Sequence, residues 1–205
     1  MKKLFRYLFV VLATLAATGC IDNDIPYPIV KLDILTLSAE GEKAPATINT
    51  SACTVDFELE EIIDIRKVEI KDVTFTEGAE ADVQFPGRFD MRNALYVNLT
   101  KYQTFEWTIR ATQNIERYFR VEGQIGESEI DAVSHIATAY VPMDYDMNNV
   151  RITAAKFGPK DITTYYPDPL SFTSFDGTVH HTMVSYHGDI EEMWTLKIIQ
   201  KDIDV

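Results

Sequence analysis

The sequence predicts an all-β protein built from two tandem β-sandwich repeats of the immunoglobulin-like kind. Apolar and polar residues alternate in short segments, as expected for strands with one buried face. Glycine, proline, asparagine and aspartate separate these segments, and the whole pattern occurs twice. No segment shows a convincing helical period over ten residues, so we expect strands rather than helices.

The chain begins with the three parts of a secretory signal peptide. Three cations occur within the first six residues, and residues 7–17 form an apolar stretch. This stretch of eleven residues is too short to cross a bilayer as a helix, which needs about 20. Small residues at 16–19 then lead to Cys20. We therefore interpret residues 1–19 as a signal peptide that is removed from the mature protein.

Cys20 is the expected site of lipid attachment. A cysteine directly after Ala-Thr-Gly resembles a bacterial lipobox, in which the thiol is acylated and the peptide is cut just before it. Ala17 takes the place of the usual leucine, which is a mild departure. The alternative is an ordinary secreted protein with a chance cysteine. Two or three acyl chains on Cys20 would anchor the chain stably in a membrane.

Residues 20–30 are interpreted as a lipidated tether. Pro26 and Pro28 favour a stiff, extended segment over a helix. The acidic residues just after Cys20 resemble the signal that sends Bacteroidota-type lipoproteins to the outer face of the outer membrane. The cell surface is therefore the first expected location, and the periplasm is the second.

The mature chain is strongly acidic. The full sequence has a formal net charge of −13, from 19 basic and 32 acidic residues. Removal of the three signal-peptide cations brings this charge to −16. Phosphate binding needs clustered lysine and arginine, so no nucleic acid partner is expected.

The internal repeat sets the domain boundaries. Residues 37–75 align without gaps to residues 82 positions later, whereas Trp107 and Trp194 are 87 positions apart. The second copy therefore has five extra residues, which we expect in the loop 158–177 because insertions collect in surface loops. No flexible glycine/serine spacer joins the copies, which favours a semi-rigid rod. The two repeats span residues 31–113 and 114–205.

Each repeat is expected to contain five strands, because five of its segments alternate between apolar and polar residues. In the first repeat the expected strands are 31–38, 52–60, 66–75, 94–99 and 104–112. In the second repeat they are 115–122, 135–142, 149–157, 178–185 and 192–200.

Cys53 is the second of the two cysteines, so no intramolecular disulfide is expected once Cys20 is acylated. Cys53, Val55, Phe57 and Leu59 alternate with polar residues, which predicts that Cys53 lies on the buried face of a strand. We interpret Cys53 as a core residue and not as a catalytic thiol.

The two tryptophans share their strand faces with aliphatic residues. Trp107 alternates with Ile109, and Trp194 alternates with Leu196, so both indoles point to the same side as the apolar residues. A large aromatic side chain in this position fills the gap between two sheets. We expect both tryptophans in the core rather than in a sugar-stacking site.

Tyr165 and Tyr166 are the candidate carbohydrate contacts. They precede Pro167 in the expected insertion loop, where no alternation indicates burial. Exposed aromatic rings on a loop can form a flat surface for sugar rings. The alternatives are a small apolar patch that pins the loop and a contact to another domain.

No catalytic or metal site is expected. His180 and His181 would point to opposite faces of a strand, and no zinc-type spacing of cysteine and histidine occurs. Residues 144–149 resemble the start of a calcium loop but lack its glycine and its closing glutamate, so we interpret them as a turn. No pair of carboxylates is singled out for hydrolysis, and no nucleotide or phosphate motif occurs. We expect no enzyme activity and no cofactor.

Four segments together resemble the N-terminal region of Bacteroides-type surface lipoproteins. They are "CIDNDIPYP", "QNIERYFRVEGQIGESEID", "KFGPKDITT" and "VSYHGDIEEMWTLKI", and the resemblance covers residues 20–205. In that family, tandem Ig-like repeats of unassigned function precede a C-terminal carbohydrate metabolism domain. The sequence here ends at "KDIDV", without that domain, so we expect a truncated product or the front part of a split one.

The resemblance implies an outer-membrane lipoprotein associated with polysaccharide use, and it supplies no catalytic residues. We therefore expect a non-enzymatic spacer or presentation module, or a weak glycan-binding module. The expected partners are the membrane, through lipid on Cys20, and a polysaccharide or a carbohydrate-active protein. The alternative is a fimbrial or adhesion-type structural subunit, which would need a sheet edge that accepts a donated strand.

Overall fold

The structure, a computed structural model, describes residues 30–202. These residues form fifteen β-strands and two 3-10 helices, and they contain no α-helix. The prediction of an all-β protein is therefore confirmed. The expected signal peptide, Cys20 and nearly all of the expected tether lie outside the described residues.

The first half of the described chain contains β1 to β8, arranged in two sheets. The three-stranded sheet has the order β1-β4-β6, and the five-stranded sheet has the order β2-β3-β8-β7-β5. A 3-10 helix, Ile65–Lys67, precedes β4. The strands are β1 Ile34–Ala39, β2 Thr47–Asn49, β3 Thr54–Leu59, β4 Val68–Phe75, β5 Glu80–Ala81, β6 Gly87–Phe89, β7 Leu95–Thr100 and β8 Thr104–Gln113.

The second half contains β9 to β15, also in two sheets. The two-stranded sheet pairs β12 with β9, and the five-stranded sheet has the order β10-β11-β15-β14-β13. A 3-10 helix, Pro169–Ser171, follows β13. The strands are β9 Tyr118–Val121, β10 Glu129–Asp131, β11 Ile136–Pro142, β12 Ile152–Lys156, β13 Thr164–Tyr166, β14 His180–Tyr186 and β15 Ile190–Lys201.

The two five-stranded sheets have matching strand orders and the same parallel pair at the centre. In the first half β3 runs parallel to β8, with Thr54 opposite Thr108. In the second half β11 runs parallel to β15, with Ile136 opposite Thr195. Thr54 and Ile136 are 82 positions apart, and Thr108 and Thr195 are 87 positions apart. The two offsets of the sequence repeat therefore belong to the two strands of this parallel pair.

Each half buries its own hydrophobic cluster between its two sheets, which gives both halves a β-sandwich-like architecture. Trp107 and Trp194 are completely buried, so the prediction of core tryptophans is confirmed. The indole of Trp194 stacks on Phe157, with ring centroids 4.7 Å apart. A buried aromatic side chain removes roughly 150–250 Å² from water, so each tryptophan contributes several kcal/mol to its own core.

The five extra residues of the second half are divided between two places. Val97 pairs with Trp107 across a separation of ten residues, whereas Thr182 pairs with Trp194 across twelve. The turns 101–103 and 187–189 are equally long, so the two extra residues lie in the strands, one in β14 and one in β15. The other three lie between β12 and β14. The expectation that all five lie in the loop 158–177 is wrong, because a strand hairpin lengthens as easily as an open loop.

The position of Cys53 differs from the prediction. Cys53 is half-buried, lies one residue before β3, and has a left-handed backbone with φ of 53°. The alternation of apolar and polar residues starts at Cys53, but β3 itself starts one residue later, because the backbone turns at Cys53. His135 has the same conformation at the corresponding turn before β11, with φ of 54°. The thiol still packs at the edge of the first core.

The sequence did not reveal the five shortest strands, which have only two or three residues each. An alternation pattern needs about four residues to be recognised, so these edge strands are too short to show one. They are β2, β5, β6, β10 and β13.

Candidate functional site

The lipid-attachment site expected at Cys20 lies outside the described residues. Within residues 30–202, no helix has the length and apolar character needed to cross a membrane.

Tyr165 and Tyr166 lie in β13 rather than in an open loop, because β13 pairs with β14 in antiparallel register. Successive residues of a strand point to opposite faces, so the two rings separate. Tyr165 is half-buried, and its hydroxyl accepts a hydrogen bond from the Phe157 backbone N–H at 3.1 Å. Burial raises the pKa of the Tyr165 phenol. Tyr166 is 82% exposed, so it alone of the two offers a free ring face.

Tyr166 belongs to a row of side chains across three strands. It pairs in register with Met183 of β14, and Met183 pairs with Met193 of β15. Directly opposed residues of antiparallel strands share one face of the sheet. The neighbouring Trp194 is buried, so this row lies on the outer face, where Met193 is 51% exposed. Met183 and Met193 thus form a partly apolar strip beside the Tyr166 ring.

The corresponding outer face of the first half is charged. Asp56 and Arg110 are opposed in the parallel pair, and their charged groups lie 3.7 Å apart. The equivalent pair in the second half is Thr138 and Lys197, with one charge only. The two outer faces therefore have different chemistry on similar backbones.

The histidines do not form a common site. The ring of His180 stacks on Phe172, with centroids 4.3 Å apart, and the Nδ1 atom of His181 lies 3.2 Å from the Thr195 hydroxyl. His187 is in the turn after β14 and has a left-handed backbone. In the 144–149 segment, the Asp146 side chain accepts a bond from the Asn148 N–H, which is turn geometry. Within the described part of the chain, no group of three or more suitable side chains could hold a metal ion.

A cavity of about 390 Å³ lies where the first half meets the second. The first half contributes the start of its 3-10 helix, and the second half contributes the hairpin between β14 and β15. The junction between β8 and β9 forms the wall between them. The lining residues are Asp64, Ile65, Arg66, Arg92, Gln113, Ile115, Tyr186, His187, Ile190 and Glu192. We call this cavity the junction cleft.

Arg66 links the two sides of the junction cleft through two carboxylates. Its guanidinium donates two hydrogen bonds to Asp64 at 2.8 Å and two to Asp189 at 2.6 and 3.0 Å. Paired parallel bonds of this kind fix the orientation of both groups. The hydrogen bonds from Arg66 lower the pKa of Asp64 to about 2, and they also lower the pKa of Asp189. Asp189 lies in the turn of the longer hairpin of the second half.

Glu192 is held inside the second wall of the junction cleft. One carboxylate oxygen accepts a hydrogen bond from the Tyr186 hydroxyl at 2.6 Å, and the other accepts one from the Trp194 Nε1–H at 2.9 Å. The imidazole of His135 lies 3.8 Å from the same carboxylate. Burial, together with the bond to Glu192, raises the pKa of the Tyr186 phenol. The carboxylate is therefore oriented by a core residue and faces the cleft.

A second polar contact joins the halves near the junction cleft. The Glu61 carboxylate accepts hydrogen bonds from Lys156 Nζ at 2.7 and 3.0 Å and from the Lys160 backbone N–H at 3.1 Å. The Lys156 side chain is only 11% exposed. Burial alone would raise the pKa of Glu61, but the bonds from Lys156 and Lys160 outweigh burial and lower it.

No sequence pattern indicated the junction cleft. Its lining residues come from four separate segments, and none of those segments carries a recognisable motif. One available signal was the two-residue lengthening of the second hairpin, which brings Asp189 to Arg66.

No protein-family model matches the chain, and no curated protein matches it. A solved structure described as "a putative glycoside hydrolase from bacteroides thetaiotaomicron" is 16% identical, with a TM-score of 0.39. The match covers 52% of this chain and 33% of that chain. At this level of similarity it assigns neither a family nor an activity.

Proposed function

We propose that this protein is a non-enzymatic, lipid-anchored outer-membrane module that presents a partner or a following segment at the cell surface. In this proposal, residues 31–113 and 114–205 are two immunoglobulin-like repeats, and acyl chains on Cys20 hold the tether in the membrane. The matching strand orders and the separate cores support the repeat assignment. The signal-peptide pattern before Cys20 supports the anchor.

The observation that carries the proposal is the polar connection between the halves. Only four residues separate the end of β8 at Gln113 from the start of β9 at Tyr118. Arg66–Asp189 and Glu61–Lys156 then fix the second half against the first from two points. A short connection with two directional contacts restrains the angle between the halves, as a spacer requires.

The anchor is tested by replacing Cys20 with serine in the full chain and labelling cells with radioactive palmitate. Labelled protein is expected for the natural chain, whereas the Cys20→Ser variant should carry no label. Protease added to intact cells should digest the natural protein if it faces outward. Labelling of the variant at the natural level would disprove lipid attachment at Cys20.

The spacer role is tested by measuring distances between spin labels placed at the exposed residues Lys43 and Glu191 of the full chain. A narrow distance distribution is expected, because the contacts across the junction hold one orientation. The double variant Glu61→Gln with Asp189→Asn should broaden it. A broad distribution in the natural chain would overturn the spacer proposal.

A weak glycan contact is the second proposed role, and it rests on Tyr166. Its ring is largely exposed on the outer face beside Met183 and Met193. An open aromatic ring can stack on the apolar face of a sugar. Polysaccharide retention measured by affinity electrophoresis should fall in Tyr166→Ala but not in Tyr102→Ala, which removes another exposed ring from the first half. Equal retention of both variants would remove Tyr166 from the proposal.

The depression beside β9 does not resemble a strand-accepting groove. A strand-accepting subunit needs a long apolar groove along an open sheet edge. The depression beside β9 measures about 140 Å³, and charged or polar side chains dominate its walls, including Glu116, Arg117 and Glu127. A depression of that size and polarity does not match the apolar face of a donated strand.

A further inference from the structure

The junction cleft has the size of a small-molecule site. Its volume of about 390 Å³ lies near the lower end of the range of ligand pockets, which is roughly 300–1,000 Å³. A molecule of one or two sugar rings fits in this space. Because both halves and the junction at Ile115 contribute to its walls, the cleft exists only when the halves are held together.

The walls of the junction cleft supply both hydrogen-bond donors and acceptors. Each Glu192 oxygen accepts one hydrogen bond from the protein, and a carboxylate oxygen has a second lone pair for another donor. The Arg92 side chain is 60% exposed and bonds to Asp90, so some of its five N–H groups remain for a ligand oxygen. Ligand hydroxyls can donate to Glu192, and ligand oxygens can accept from Arg92.

The charged residues that line the junction cleft balance one another. Asp64 and Glu192 supply two negative charges, and Arg66 and Arg92 supply two positive ones. Both guanidinium groups are paired with carboxylates already. A phosphate or a sugar acid would have to compete with these carboxylates, whereas a neutral molecule would not.

Apolar side chains complete the walls. Ile65, Ile115 and Ile190 line the junction cleft and are half-buried. Sugar rings have C–H faces that pack on aliphatic groups while their hydroxyls point to polar ones. Few other small neutral molecules combine an apolar face with many hydroxyls.

We propose that the junction cleft binds a neutral, polyhydroxylated ligand the size of a monosaccharide or disaccharide. Glu192 accepts from ligand hydroxyls, Arg92 donates to ligand oxygens, and Ile115 packs on the ring. This inference rests on the glycan-contact part of the proposed function and deepens it with a site separate from Tyr166. It also links ligand binding to the orientation of the halves, because both form the walls.

The test uses the two indole N–H signals in ¹H–¹⁵N NMR spectra of the full chain. The Trp194 indole donates to Glu192 in the cleft wall, whereas the Trp107 indole donates to the Leu32 carbonyl within the first half. The probes are glucose, galactose, mannose, N-acetylglucosamine, maltose and cellobiose at millimolar concentration. At least one probe should shift the Trp194 signal in a saturable way and leave the Trp107 signal in place. No shift with any probe, or equal shifts of both signals, would overturn the proposal.

Arg92→Gln tests the donor side, and Arg88→Gln is its matched control. Arg88 is a similarly exposed arginine of the first half that pairs with Glu69 and does not line the cleft. Loss of one charged donor should weaken binding about fivefold to tenfold in Arg92→Gln and leave Arg88→Gln unchanged. Equal binding in the two variants counts against the proposal. So does a stronger response to glucuronate than to glucose.

Tyr166→Ala separates this inference from the proposed function. If polysaccharide retention is lost in Tyr166→Ala and no probe shifts Trp194, the cleft proposal fails while the glycan role remains. If Trp194 shifts in Tyr166→Ala as in the natural chain, the cleft binds independently of the outer face.

Discussion

Trp107 and Trp194 occupy matching places in the two halves but use different hydrogen-bond acceptors. Both are fully buried, and each lies on the strand that comes last in the chain order of its half and central in its five-stranded sheet. Trp107 donates to the Leu32 backbone carbonyl, and Trp194 donates to the Glu192 carboxylate, both at 2.9 Å. The bond to Leu32 is buried inside the first half, whereas the Glu192 carboxylate lines the junction cleft and can also meet a ligand. Similar core positions therefore differ in what they are connected to.

The largest expected effect separates the two tryptophans directly. Trp107→Phe should lower the free energy of unfolding by about 2 kcal/mol, and Trp194→Phe by about 3 kcal/mol. The difference arises because hydrogen bonds to charged groups are stronger than those to neutral ones. Urea unfolding followed by fluorescence measures both, since each variant keeps the tryptophan of the other half as a probe. A larger loss in Trp107→Phe would contradict the role given to Glu192.

The next effect compares the two contacts between the halves. Glu61→Gln should lower the free energy of unfolding by about 2 kcal/mol, because it leaves Lys156 charged in a mostly buried position. Asp189→Asn should cost less, because Asp189 is 57% exposed and its pair with Arg66 is screened by water.

Glu58→Gln is the matched control for Glu61→Gln. It breaks an exposed pair with Lys43 inside the first half. Urea midpoints of the three variants should follow the order Glu58→Gln, Asp189→Asn, Glu61→Gln, from the mildest change to the most severe. An equal loss in Glu58→Gln and Glu61→Gln would show that the junction contact adds nothing.

Acid should weaken the ion pairs of the junction step by step, as their carboxylates become protonated. The pKa values of Asp64, Asp189 and Glu61 are lower in the folded chain than the ordinary values of 3.8 and 4.5. Lowered carboxyl pKa values stabilise the junction above those ordinary values, and this stabilisation is lost as pH falls through the folded values, about 2 for Asp64. The spin-label distance should broaden between pH 4 and pH 2, and Asp189→Asn should broaden less. A distribution that is constant down to pH 2 would contradict this assignment.

The smallest expected effect concerns the outer faces. Met193→Glu places the charge that Glu106 has at the equivalent position of the first half, and Glu106→Met makes the reverse change. Both side chains are exposed, so unfolding free energies should change by less than about 0.5 kcal/mol. Polysaccharide retention should fall in Met193→Glu only, since that variant changes the strip beside Tyr166. A fall in Glu106→Met as well would show that the two faces do not differ.

The sequence was a good guide to long strands and a poor guide to sites. Alternation of apolar and polar residues revealed the ten longer strands and the burial of Trp107 and Trp194. A strand with one buried face needs an apolar residue at every second position, and this pattern can be seen in the sequence. It gave no access to the junction cleft, since the contact of Arg66 with Asp189 joins residues 123 positions apart. Tyr165 and Tyr166 show the same limit at short range. Three residues of strand were enough to send one ring inward and the other outward.

The place of β8 and β15 in their sheets has a consequence for how the protein is made. Each is the central strand of a five-stranded sheet, and each is the last strand of its half to be synthesised. Strands β3 and β11 must therefore wait, without their parallel partners, until about fifty further residues have left the ribosome. A growing chain thus carries unpaired β-edges for most of its synthesis, and factors that bind such edges are the natural protection against aggregation.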